Sequence, residues 1–345
     1  MIIIDGAARS GSGTIVRYSI ALASLLGKEI KIVNIRAGRD KPGLRAQHLK
    51  GIQACQEMCR GVMENAAVGS KEIIYIPRER FKGGGYSWDI GTAGSTTMMA
   101  QTLLPLACFA QKPSKFRIEG GLFQDFAPSA YHMKFVLLPL LKQMGIHAEL
   151  DIISPGYVPK GGGIIEIKVE PVGKLKPINL TEQGNILNVK GIALSSHLKE
   201  KRVSQRMAAE CRKALGSYGY KAEIEEIDDE SSLQEGAALA VYAEISSGSR
   251  IGSDRAGKQG RSSESIGRYV AQSFMDDIKT GAAVDRYVAD QLIIYAGLAE
   301  GTTKYLIPRI SEHVETNLWL IEEFLGAKTK VQGNLIEIEG IGFKQ

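Results

Sequence analysis

His313 is the side chain best placed for nucleophilic chemistry, and its setting can be read from spacing. Ser311 to Phe324 reads as a helix. Ser311 supplies the N-cap, Val314, Leu318, Ile321 and Leu325 recur on one buried face, and Gly326 stops the run. His313 then falls in the first turn, where the positive end of the helix dipole disfavours imidazolium and leaves a lone pair free. Asn317, one turn on, shares its side of the helix. Spacing alone favours a surface or packing histidine, so the rest of the chain must decide.

Other segments carry anion-binding chemistry. Arg36, Arg39, Lys41, Arg45 and Lys50 stand against a single acid, Asp40, a local excess that suits a phosphorylated partner. Asp5 to Thr14 joins a strand to a helix through small residues, with Arg17 expected in the first helical turn, so its amides can face an anion. No Gly-Lys-Ser/Thr follows, which excludes a Walker A loop. Gly91 to Thr97 opens another helix with hydroxyls and places Gln101 two turns in. Farther along, Tyr287 and Gln291 share a helix face beside Asp290, a group able to stack on and hydrogen-bond a nucleotide.

The elements that position these residues repeat. The order helix, strand, helix, strand, strand occurs three times, and the spans are approximate. The first copy runs helix 14–26, strand 29–33, helix 46–59, strand 72–76 and strand 86–90. The second runs helix 95–110, strand 115–119, helix 130–144, strand 148–153 and strand 164–169. The third runs helix 283–298, strand 304–307, the His313 helix, strand 328–332 and strand 335–339. Glycine triplets at 83–85 and 161–163 punctuate the first two copies and argue for a reused unit. Between the second and third copies the composition becomes more charged. The expected organisation is therefore an α/β (α+β) chain with a three-repeat domain, 1–184 and 281–345, and a smaller inserted α/β domain, 185–280.

Composition bounds the class. The chain has 345 residues, 44% hydrophobic and 23% charged, with net charge +5, enough to bury a large core. The most apolar run, Thr102 to Ala110, contains Pro105 and is too short for a membrane span, so no membrane partner is expected. The opening Met1-Ile2-Ile3-Ile4 runs into Asp5 as a first strand and not as a signal peptide. Cys55, Cys59, Cys108 and Cys211 lack disulfide or metal-site spacing, and the cytoplasm is the expected compartment. No obligate protein partner is evident.

Several blocks together resemble the RNA 3'-terminal phosphate cyclases. They are Asp5-Gly6 with Gly11, Gly13 and Arg17; Ile35 to Arg39 with Lys41 to Leu44 and Gln47-His48; and Gly91, Ala93 to Ser95 and Gln101-Thr102. Ala127-Pro128, Gly161 to Gly163, Tyr287 with Ala289 to Gln291, and His313 with Thr316-Asn317 follow in the same order. The resemblance implies a ligase that uses ATP and a divalent ion, magnesium or manganese, to convert an RNA 3'-phosphate end to a 2',3'-cyclic phosphodiester through a histidine-AMP intermediate on His313. It further implies nucleotide contacts from Gln101, Pro128, Tyr287, Val288, Ala289, Asp290, Gln291 and Asn317, and phosphate contacts from Arg17, Arg36, Arg39 and Gln47. The metal-binding residues stay unassigned.

The chain departs from the family pattern at several acidic positions. Ser10 stands where a first-loop carboxylate is the rule; Leu122, Phe123 and Gln124, Tyr131 and Lys258 replace other expected residues. Two alternatives follow. One is a catalytically silent, cyclase-like RNA-binding protein of ribosome assembly; the other is a small-molecule transferase, since enolpyruvyl transferases also repeat α/β units.

Overall fold

The computed structural model describes residues 1–125 and 127–344. The first unit comprises β1 (Ile2–Asp5), α1 (Gly13–Leu26), β2 (Ile30–Val33), α2 (Ala46–Met58), β3 (Val62–Glu64) and β4 (Ile73–Ile76). The second contains β5 (Gly84–Asp89), α3 (Thr96–Cys108) and β6 (Ser114–Gly120). A helical run then follows as α4 (Ala130–His132), a π turn (Met133–Leu137) and α5 (Leu138–Gln143), before β7 (Ala148–Ser154) and β8 (Gly163–Val169). After β9 (Asn179–Leu180) come β10 (Ile186–Ser196), α6 (Val203–Gly216), β11 (Ala222–Asp229), β12 (Gly236–Ile245), β13 (Arg250–Ala256) and α7 (Ser263–Ile278). The chain closes with α8 (Val288–Gln291), α9 (Ile293–Leu298), β14 (Glu300–Leu306), α10 (Glu312–Leu325), β15 (Lys328–Gln332) and β16 (Leu335–Ile341).

Three of the four sheets share one topology. Their orders are β1-β2-β4-β3, β5-β6-β8-β7 and β9-β14-β16-β15. In each, the first two strands pair in parallel and the remaining pairs are antiparallel. A parallel pair needs a crossover helix, and α1, α3 and the α8–α9 run supply it. The mixed α/β architecture is as expected, but the phase of the repeat differs. The unit begins with a strand, so the segment assigned as the closing strand of the first copy (86–90) is β5 and opens the second sheet. The glycine triplets consequently occupy different places, one leading into the first strand of the second sheet, β5, and the other into the third strand in its order, β8. Spacing missed β3 because its pattern is exposed, half-buried, exposed, an edge with little to bury.

The helix expected over 283–298 is broken. The Asp285 carboxylate accepts from the backbone N–H of Tyr287 and Val288, both at 2.9 Å, and helical structure restarts only at Val288. The helix expected over 130–144 carries a π turn at its centre.

The fourth sheet, β11-β10-β12-β13, has alternating residues on two faces. Val189, Ala193, Leu239 and Val241 pack under α6 and α7 with Met207, Val270 and Phe274, while Ile192, Leu194, Ala240 and Tyr242 join the main core. There Phe135 stacks on Tyr242 with ring centroids 4.9 Å apart. A buried ion pair reinforces this contact. His132 Nε2 lies 3.0 Å from Asp285 Oδ2, which also accepts from Gly252 N–H at 2.9 Å, and Asp254 Oδ2 accepts from Ser129 N–H at 2.7 Å.

Burial opposes charge on the His132 ring, but Asp285 beside it outweighs this and raises its pKa; burial likewise opposes ionisation of Asp285, and His132 with the backbone donors lowers its pKa. The His132 contribution to stability is complete below about pH 6.5, the ordinary histidine value, and is lost as pH rises through the raised folded value. The Asp285 contribution is lost only in acid. Asp285→Asn should cost about 3–5 kcal/mol by leaving the partner unpaired, and it should flatten the decline of unfolding free energy above pH 6.5 seen in denaturant titrations of the parent.

Candidate active site

Four helices meet where α1 begins. Ser12 caps α1 by accepting from Thr14 N–H, so the helix starts at Gly13 and Arg17 lies in its second turn, one turn later than expected. The His48 ring covers this start: a Cβ on Gly13 would come within 2.1 Å of His48 Nε2. Glycine is required there by close approach.

Arg17 is only 6% exposed. It donates from Nη1 to Met98 O on α3 at 3.2 Å and from Nη2 to Thr14 Oγ1 at 3.2 Å. Burial lowers its pKa, with Tyr18 and Asp290 opposing the shift; a guanidinium this basic still carries its charge at neutral pH. Thr14 Oγ1 also lies 3.4 Å from His313 Nδ1. His313 is exposed, yet enough protein surrounds it that desolvation, then Arg17, then Arg39 lower its pKa below 6.5, against a smaller opposing effect of Glu312. The ring is neutral at physiological pH.

The helix carrying His313 is held from both sides. Ser311 caps it and Gly326, at φ 68°, ends it, as the sequence indicated. Thr316 Oγ1 lies 2.9 Å from Ser10 Oγ, accepts from Ser10 N–H at 3.2 Å and bonds Glu312 O at 2.6 Å, while Ser10 Oγ reaches Ser12 Oγ at 2.9 Å. Asn317 is fully buried and donates to Asp290 O at 2.9 Å and Asp290 Oδ2 at 3.4 Å. Burial, with Arg17 opposing it, pushes the Asp290 carboxyl up to about 7. His313, Arg17, Asp290 and Asn317 therefore form one bonded or electrostatically coupled group.

The other expected site residues have different surroundings. Arg39 donates from Nη2 to Ser10 O at 2.8 Å, and its exposed guanidinium is electrostatically coupled to His313. Arg36 spends Nη1 on Lys41 O (2.7 Å) and Gly43 O (2.9 Å), bracing its own loop. Gln47 accepts from Ser95 N–H at 3.3 Å, joining the starts of α2 and α3. Gln101 and Gln291 are buried, and Gln101 Nε2 and Gln291 Oε1 have no hydrogen-bond partner among the described residues. Pro128 O accepts from Thr97 Oγ1 at 2.7 Å. Tyr287 is half-buried, edge-on to His132 at 5.4 Å. Val288 and Ala289 point into the core, so only their backbone remains available to a ligand. Spacing missed Thr14 and Thr316, because hydroxyls within helices carry no local signal for partners some 300 residues away.

Residues 8–331 match the family model of the RNA 3'-terminal phosphate cyclases. The chain belongs to the RNA 3'-terminal phosphate cyclase family. It is 36% identical over 344 residues to an RNA 3'-terminal phosphate cyclase of Pyrobaculum neutrophilum, covering 99% of each chain. It is 38% identical over 337 residues to that of Pyrococcus furiosus, covering 98% of this chain and 97% of the relative. A solved EPSP synthase from Acinetobacter baumannii aligns at 12% identity and TM-score 0.33, over 99% of this chain and 65% of that one, a likeness too slight to bear on fold or chemistry.

A histidine-resolved NMR titration should place the His313 midpoint below 6.5, and Arg39→Ala should move it upward, since removing a nearby cation restores stability to imidazolium.

Proposed function

We propose that this chain converts RNA 3'-terminal phosphates to 2',3'-cyclic phosphodiesters at the expense of ATP, with His313 as the covalent nucleophile. The observation that carries the reading is the exposed, neutral imidazole of His313 held against the buried Arg17 through Thr14. Thr14 Oγ1 accepts from Arg17 Nη2. If it also accepts from Nδ1–H, His313 keeps its lone pair on Nε2, so the tautomer is assigned from the hydrogen-bond network.

In this scheme His313 Nε2 attacks the α-phosphorus of ATP and pyrophosphate leaves, forming a phosphoramidate to AMP. A 3'-phosphate oxygen of RNA then attacks the same phosphorus and His313 departs. Finally the neighbouring 2'-hydroxyl attacks the activated 3'-phosphorus, its proton passes to water, and AMP is released. Arg17, Arg36, Arg39 and Gln47 are the proposed phosphate contacts, the arginines supplying charge and orientation. Gln101 and Gln291, with their unpaired buried amide atoms, join Pro128, the segment Tyr287 to Asp290 and Asn317 as proposed nucleotide contacts.

Among the described residues no group of three or more metal-ligating side chains stands together. Around His313 the donors are mainly the hydroxyls of Ser10, Ser12, Thr14 and Thr316. That set suits a magnesium or manganese ion carried on the triphosphate with its own waters, where it would neutralise charge. We read 1–184 with 281–345 as the catalytic domain and 185–280 as an inserted domain, supported by the separate apolar cluster under α6 and α7. The four buried, unbridged cysteines support a cytoplasmic setting, and no helix among the described residues is long and apolar enough to cross a membrane.

Incubation with ATP labelled at the α-phosphate should give an acid-labile, alkali-stable adduct that His313→Ala abolishes. Equal labelling of that variant would rule out the nucleophile. Asn317→Ala should lower adduct formation about 10- to 100-fold, by about 1.4–2.7 kcal/mol, because Asp290 and α10 lose their fixed relation. Tight RNA binding without adduct or turnover would favour the silent binding protein.

A further inference from the structure

A cleft of about 790 Å³ opens between the β7–β8 connection and the fourth sheet with its helices. Its walls carry Lys160, Lys201, Arg206, Lys258 and Arg261 against one lining acid, Glu235. Three of these cations are paired: Arg206 with Glu264, Arg261 with Asp125, and Lys201 with Glu235 at 3.8 Å. Lys160 and Lys258 are exposed and have no carboxylate within ion-pair distance among the described residues. Two free ammonium groups therefore face a cleft whose other charges are largely balanced.

The cleft is held in shape. Gln234 spans its mouth, accepting from Lys160 N–H at 3.0 Å and donating to Val158 O at 2.9 Å, and Tyr157 OH bonds Ser196 Oγ at 2.8 Å. A chain of packing contacts also links its rim to the His313 site. Thr14 touches His313, its neighbour Gly13 lies under His48, and the next residue, Gln47, bonds Ser95 N–H. The turn before Ser95 then meets Gly161, whose Cβ position lies 2.9 Å from Thr92 O. Lys160 is the following step along this ridge. Arg36, Arg39, Lys41 and Arg45 line a basic pocket beside the same loops.

We infer that this cleft holds the phosphodiester backbone of the RNA strand upstream of its reacting 3' end, with Lys160 and Lys258 contacting phosphates. The inference rests on the proposed function, because an RNA end at His313 must send its strand across this ridge or away from it. Of the available partners, a flexible polyanion is the one that could reach both the basic pocket beside the reacting end and this second basic cleft across the adjoining loops. Lysines contacting phosphates add affinity without base specificity.

The test compares a 3'-phosphorylated oligonucleotide about a dozen nucleotides long with a 3'-phosphorylated dinucleotide, using the full chain. In the double variant Lys160→Ala, Lys258→Ala the long RNA should bind about tenfold more weakly, and its log-affinity against log-salt slope should become shallower by about 1.4. Binding of the dinucleotide should match the parent, and Lys160→Arg, Lys258→Arg should restore the slope. Lys330→Ala, on the exposed strand β15, should change none of these. An unchanged affinity and slope for the long RNA, or an equal loss for both lengths, would overturn the cleft assignment. Failure of the proposed function shows elsewhere, as absence of the His313 adduct and of cyclisation in the parent. The binding comparison would still report on the cleft.

Discussion

Burying the Arg17 guanidinium where four helices converge sets the terms for everything around it. A charge removed from water must recover its lost hydration, and Arg17 recovers part of it from Met98 O, Thr14 Oγ1 and the field of Asp290. Each partner comes from a different stretch of chain. Desolvation first, and the same charge after it, lower the pKa of His313 and push that of His48 down to about 3. One cation therefore reinforces the effect of burial on two imidazoles.

This arrangement favours function over stability. Burial holds the Asp290 carboxyl well above the usual carboxylate range, and buried polar atoms of Gln101, Gln291, Asn317 and Arg17 lack partners among the described residues. Such unmet hydrogen-bonding capacity is costly in a folded chain and is the kind of reserve that a bound nucleotide and its phosphates would satisfy. The hydroxyl chain Ser12, Ser10, Thr316 has a different effect, since it ties the first loop to α10 without adding charge. Ser10 thereby serves as a structural link.

Three sheets of identical strand order explain why chemistry collects at one place. In each unit the crossover helix follows the first strand; α1 and α3 carry Arg17 and Gln101 in their second turns, and Gln291 closes the short α8. The fourth sheet packs one face under its own helices and the other on the second unit, where the His132–Asp285 pair and the Phe135–Tyr242 stack join them. Asp285 has two duties, since it also interrupts the helix before Tyr287. That places the tyrosine at a helix start rather than mid-helix.

Much of this was legible in the residues alone. Caps and apolar spacing determined α10 and its boundaries, because Ser311, Gly326 and the buried face act within one or two turns. The recurrence of like elements was readable for the same reason. The phase of the repeat was not, since whether Gly84–Asp89 closes one sheet or opens the next depends on its partner, β6, and both choices satisfy the local pattern. The side chains completing the site, Thr14 and Thr316, and the duties of Arg36 and Gln47 in bracing loops were likewise decided only by folding. Hydrogen bonds and desolvation act over a few ångströms, and tertiary packing alone determines which distant residues come that close.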